Sequence, residues 1–126
     1  MKLDFIHNVN EFDESVVRLY NFNKEEAILF RDLIQTVIIK NTTRLDLSSI
    51  PFIENRNCNL ILGHFKTDEG ILSSNHKTFY CALTKEAYIT MIGLLEPFCT
   101  KETKGYQYLY DIDNPIDFLF SPAGTW

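Results

Sequence analysis

Five residues in the middle of the sequence carry the side chains best suited to chemistry: His64, Asp68, Glu69, His76 and Cys81. Nucleophilic catalysis by a thiol needs a thiolate beside a base, so Cys81 with His64 is the pairing to look for. It forms only if the strands flanking the turn at 67–70 meet in a register that sets His64 against Cys81. Cys81 sits inside Phe79-Tyr80-Cys81-Ala82-Leu83, however, and cysteine is among the most commonly buried residues, so a core thiol explains it more simply. His64, Asp68 and His76 offer nitrogen and oxygen donors to a metal. Their spacing of four between His64 and Asp68 brings ligands together on a helix and not across a turn. Surface histidines and turn carboxylates account for the same residues, and neither a metal nor another cofactor is expected.

Asp111, Asp113 and Asp117 have the acidity of a calcium loop but lack its glycine at position six and its closing glutamate, so they read as a solvated turn. The sequence has no glycine-rich phosphate cradle, no H-E-x-x-H and no G-x-S-x-G elbow. An acid–base pair of carboxylates needs no local motif, so these absences narrow the field without closing it to enzymes.

The most specific pattern is aromatic. Tyr106, Tyr108 and Tyr110 recur at period two, which on a strand sends all three rings to one face. Packing beneath a helix is the ordinary fate of such rings. An exposed platform is the functional alternative, and tyrosine is enriched at the centres of protein interfaces. The segment from Phe118 to Trp126 is also unusually apolar for the end of a chain. Phe118 and Phe120 are expected in the core, with Trp126 either folding back or offered to a partner.

Net charge is −5, unevenly spread. Residues 1–26 hold three bases against six acids, residues 27–105 nine against eight, and residues 106–126 no base against three acids. Without a basic run there is no footprint for nucleic acid or an anionic membrane, and a basic protein suits the charge better. Cys58, Cys81 and Cys99 form no C-x-x-C pair and are odd in number, which fits a reducing, cytoplasmic setting. No secretory h-region follows Met1, and the longest apolar stretch, Ala27–Ile39, is broken by Arg31, Asp32, Gln35 and Thr36.

These residues must be positioned by elements the patterning defines. With 126 residues, 45% of them apolar, one core is expected and residues 1–126 read as a single domain. Strands are expected over Lys2–Val9 and Val16–Phe22. Asn23 with Glu26 three residues on makes a capping box, opening a helix of about four turns with Ala27, Phe30, Leu33, Ile34, Val37 and Ile38 on its buried face. Arg44–Ser48 alternates as a strand at or near an edge, Cys58–Lys66 and Thr78–Leu83 flank the turn Thr67–Gly70 as a hairpin, with Ile71–Lys77 either extending it or forming a longer loop, and Thr84 caps a second helix that Pro97 limits. Tyr106–Asp111 is the last strand of the set, with a further stretch at Ile116–Phe120. The order is ββαβββαβ plus one C-terminal strand, an α+β two-layer sandwich of two helices on a largely antiparallel sheet, with an embellished ferredoxin-like arrangement as the alternative.

The function expected on these grounds is a binding or accessory module that docks on a protein partner through an acidic and aromatic surface, Tyr106, Tyr108, Tyr110 and Trp126 being the binding residues. A second copy of the chain is an alternative partner. A small enzyme built around His64, His76 and Cys81 is the alternative function.

Overall fold

The computed structural model describes residues 1–7, 15–110 and 116–123. The α+β class is found, with two α-helices and nine strands among the described residues, divided between two mixed sheets. The first sheet has the order β4-β1-β2-β9-β8, from β1 (Lys2–Ile6), β2 (Ser15–Tyr20), β4 (Glu54–Asn55), β8 (Gln107–Tyr110) and β9 (Ile116–Ser121). The second has the order β3-β5-β7-β6, from β3 (Leu45–Asp46), β5 (Asn59–His64), β6 (Gly70–Leu72) and β7 (Thr78–Leu83). This division separates the fold from the single sheet of the ferredoxin-like alternative.

The first helix begins where its cap places it. Asn23 Oδ1 accepts from Glu26 N at 2.9 Å, and Glu26 Oε1 accepts from Asn23 N at 3.2 Å. The α-helix α1 (Lys24–Leu33) widens into a π-helical segment over Ile34–Lys40, closed by Asn41 N donating to Thr36 O at 3.0 Å. Ala27, Phe30, Ile34 and Ile38 are its buried residues, while Leu33 and Val37, expected on the same face, are only partly buried against the core. In α2 (Lys85–Thr100) the buried positions Tyr88, Met91, Leu95 and Phe98 keep helical spacing. The helix runs three residues beyond Pro97 rather than ending there, since proline removes one hydrogen bond while Phe98 and Cys99 on the next turn are still buried.

The expected central hairpin is replaced by something else. Strands β5 and β7 are parallel, with Asn59 beside Thr78 and His64 beside Leu83. Gly70 takes the positive φ of 87° that its place after Asp68-Glu69 predicts, but it opens the short strand β6, which pairs antiparallel with β7. The hairpin is therefore β6–β7. Its loop is tied by Ser73 Oγ donating to Thr78 O at 2.7 Å and by Asn75 Oδ1 accepting from Lys77 N at 2.9 Å and Thr78 N at 3.0 Å. Strand β3 does lie at an edge. It is only two residues long because Asp46 caps a 3-10 turn over Leu47–Ser49.

One core joins the inner faces of both sheets to the helices. Phe120 of β9 meets Phe22 at 4.1 Å, Phe98 of α2 at 5.1 Å and Phe30 of α1 at 5.9 Å between ring centroids. On the other side Leu60, Leu62, Phe79, Cys81 and Leu83 belong to the same cluster. No helix among the described residues is long and apolar enough to cross a membrane.

Candidate binding surface

The pairing of β8 with β9 decides where the tyrosines go. Tyr108 lies beside Leu119, but Tyr110 lies beside Phe118, and the register shifts between them. An extra residue in one strand turns the following side chain to the other face. Tyr108 is therefore on the outer face of the five-stranded sheet, with Leu119, Arg18 and Asp4 in its row, while Tyr110 joins Phe118 in the core at 8% exposure. This corrects the expectation of three rings on one face. Extending the β8–β9 register by one step brings Tyr106 opposite Ser121, which is beside Tyr20. Tyr106 is 53% exposed and stands edge-on to the half-buried Tyr108, at 6.0 Å and 87°. Trp126 lies outside the described residues, as do Asp111 and Asp113.

Charges on this face are arranged in order. Arg18 grips Asp4 with two hydrogen bonds, Nε to Oδ1 at 3.1 Å and Nη2 to Oδ2 at 2.9 Å. The same guanidinium lies 3.9 Å from the centre of the Tyr20 ring. Val16 and Leu119 on this face are buried without belonging to the central core, and Ser121 Oγ is buried with no hydrogen-bond partner among the described residues. What the face offers to another molecule is thus its rings: Tyr106 and Tyr108, with Tyr20 held beneath Arg18.

Of the residues considered for catalysis, His76 is held apart from His64 and Cys81. His64 and His76 sit at opposite ends of the β5–β7 pair, about five strand rises or ~16 Å from one another. The His76 ring packs against Phe5 at 5.5 Å and His7 at 5.8 Å, whereas the His64 ring stacks on Tyr88 at 6.2 Å. Cys81 is beside Leu62, which stands two residues before His64 on the same face of the sheet; Cys81 lines one cavity with His64 and is 1% exposed. Burial pushes its thiol up to about 12, the opposite of what a nucleophile requires. Asp68 is spent on α2: its Oδ1 accepts from Thr84 N and Thr84 Oγ1, both at 2.8 Å. Among the described residues no three His, Cys, Asp or Glu side chains are grouped to hold a metal ion.

Sequence reasoning passed over two residues. Tyr88 reads only as a core position of α2, yet its hydroxyl enters the second sheet. Arg44 reads only as the first residue of an alternating stretch, yet it overhangs that sheet's outer face, where Phe65, Leu72 and Tyr80 are 48%, 45% and 44% exposed. The one signal available for Arg44 was its isolation, since no acid lies within a helical or strand step on either side except Asp46.

No protein-family model matches the sequence, and no curated protein is significantly similar to it.

Proposed function

We propose that this chain is a binding module that docks on a basic protein through the outer face of its five-stranded sheet, with Tyr106 and Tyr108 as the anchor. One observation carries the reading: Tyr106 keeps half its surface in water although its ring is fixed edge-on to Tyr108. A large apolar ring held in place and left exposed loses little conformational freedom on binding, which is what makes tyrosine effective at interface centres. The net charge of −5 favours a basic partner and speeds its approach.

Tyr106→Ala tests this, because so exposed a side chain can be removed without opening the core. The immobilised chain should retain a basic protein at low salt, lose it as salt rises, and lose it in the variant. A partner held equally by wild type and Tyr106→Ala would sink the proposal. Sedimentation of the isolated chain covers the other occupant: self-association abolished by the same substitution would give this face to a second copy instead.

A further inference from the structure

The outer face of the four-stranded sheet is a different surface, and its shape follows from register. Ile61, Tyr80 and Leu72 are paired across β5, β7 and β6, so they form one row of large side chains. The next row is Gly63 and Ala82, and beyond it stands Phe65. Two small residues between large ones leave a trough, and a cavity of about 240 Å³ lies there, lined by these residues and Phe65 together with Arg44, His64 and Cys81. That is below the size of pockets that take drug-sized molecules, so the space suits a small ligand.

The cation is what gives the trough a preference. Leu45 is beside Leu62 in the antiparallel β3–β5 pair, which brings Arg44 opposite Gly63 at the end of the small row. Its stem rests on that glycine: a Cβ at Gly63 would stand 3.4 Å from Arg44 Cγ. The guanidinium has no ion pair or hydrogen bond among the described residues. Asp46, the nearest acid in sequence, is committed elsewhere, its Oδ1 accepting from Ser48 N, Ser48 Oγ and Asn59 Nδ2. An apolar trough with an unpaired guanidinium at one end complements a molecule with an apolar body and one carboxylate, which arginine grips by two parallel hydrogen bonds.

We propose that this trough binds a small amphiphilic monocarboxylate of the medium-chain acyl type, its chain over Gly63 and Ala82 and its carboxylate on Arg44. Octanoate is the probe and 1-octanol its uncharged control, each titrated into the full chain and followed by amide chemical shifts and calorimetry. Octanoate should saturate one site, with shifts centred on β5 and β7, and octanol should bind more weakly. Arg44→Met keeps the stem and removes the charge, and should weaken octanoate about tenfold or more while leaving octanol unchanged. Ala82→Leu fills the trough from an outward-facing position and should abolish both. Equal affinity for octanol and octanoate, or an Arg44→Met variant that binds octanoate normally, would overturn the carboxylate assignment. Absence of octanoate binding by a chain whose spectrum is folded would overturn the site. So would concentration-dependent broadening of Leu72 and Tyr80 without ligand, which would assign the face to a second copy.

Discussion

The hydroxyl of Tyr88 lies 2.5 Å from the backbone carbonyl oxygen of Cys81 and 3.0 Å from that of Gly63, either of which accepts its proton, and it accepts from the backbone N–H of Gly63 at 2.9 Å. Asn59 N reaches Lys77 O at 2.8 Å and Phe65 N reaches Leu83 O at 2.9 Å, a spacing that sets Gly63 N against Cys81 O in the parallel ladder. A wholly buried side chain of α2 thus serves three main-chain groups of β5 and β7 and fixes the helix on the sheet. Tyr88→Phe leaves those groups without the hydroxyl in a place that water does not reach. The expected cost is about 1–3 kcal/mol, measured by the urea midpoint. A loss below about 0.5 kcal/mol, the range of ordinary surface substitutions, would show that the two strands close the ladder without it.

Tyr110 is the counter-case. Its hydroxyl is buried with no partner among the described residues, and burial raises its pKa to about 12, helped by the nearby acids Asp68 and Glu69. Tyr110→Phe removes an unsatisfied polar atom and keeps the ring, so it should leave stability unchanged or raise it slightly. The raised pKa also fixes a sign. The folded state holds this proton more tightly than the unfolded one, so the contribution is complete below about pH 10 and is lost as pH climbs towards 12. The variant should therefore lose less stability than wild type between pH 9 and 11, compared in urea melts at each pH. Identical slopes would contradict a buried hydroxyl.

How much of this was legible beforehand depended on whether the cause was local. The Asn23–Glu26 box, the 88-91-95-98 stripe of α2 and the edge position of β3 each depend on residues within a turn or two, and the structure has them all. The pairing of β5 with β7 does not. Thr67–Gly70 has turn chemistry whichever strand follows, and nothing nearby says that Gly70 begins a third strand instead of returning the second. The tyrosine strand failed more subtly, because its period of two is intact in the sequence and the register shift beside β9 is what turns Tyr110 inward. The trough was out of reach for the same reason. Gly63, Ala82 and Arg44 come from three strands, and only the register puts them in one row. The burial of Cys81, in contrast, was readable from its apolar neighbours alone.

That burial makes a chemical prediction. Burial holds the thiols of Cys58 and Cys81 at about 12, and it raises that of Cys99 as well, partly offset by Arg31. Since the thiolate is the reactive species, Cys81 at pH 8 should alkylate about a thousandfold more slowly than a free cysteine whose pKa is near 8.5, before any steric protection. Iodoacetamide labelling of the native chain, resolved by mass spectrometry of its peptides, measures this directly. All three cysteines should label at ordinary rates in urea. Rapid, selective modification of Cys81 in the native chain would restore it as a nucleophile and His64 as its base.

Asp46 links β3 to β5 and sets the acid side of the stability profile. Its Oδ1 accepts from Ser48 Oγ at 2.7 Å, Asn59 Nδ2 at 2.8 Å and Ser48 N at 3.0 Å. Burial pushes the carboxyl up, but the hydrogen bonds from Asn59 and Ser48 outweigh it and hold the group below the usual carboxylate range. A depressed folded pKa means the unfolded chain binds this proton more readily. The stabilisation is then present above the unfolded value of about 3.9 and is lost as pH falls through the folded one. Asp46→Asn removes the charge and keeps the shape, so at pH 7 it should cost about 1 kcal/mol, the margin by which hydrogen bonds to a charged group exceed neutral ones. As pH falls below that unfolded value, the difference between the two urea midpoints should shrink towards zero. A difference that stays constant from pH 7 to pH 2 would mean that shape and not charge holds β3 to its neighbour.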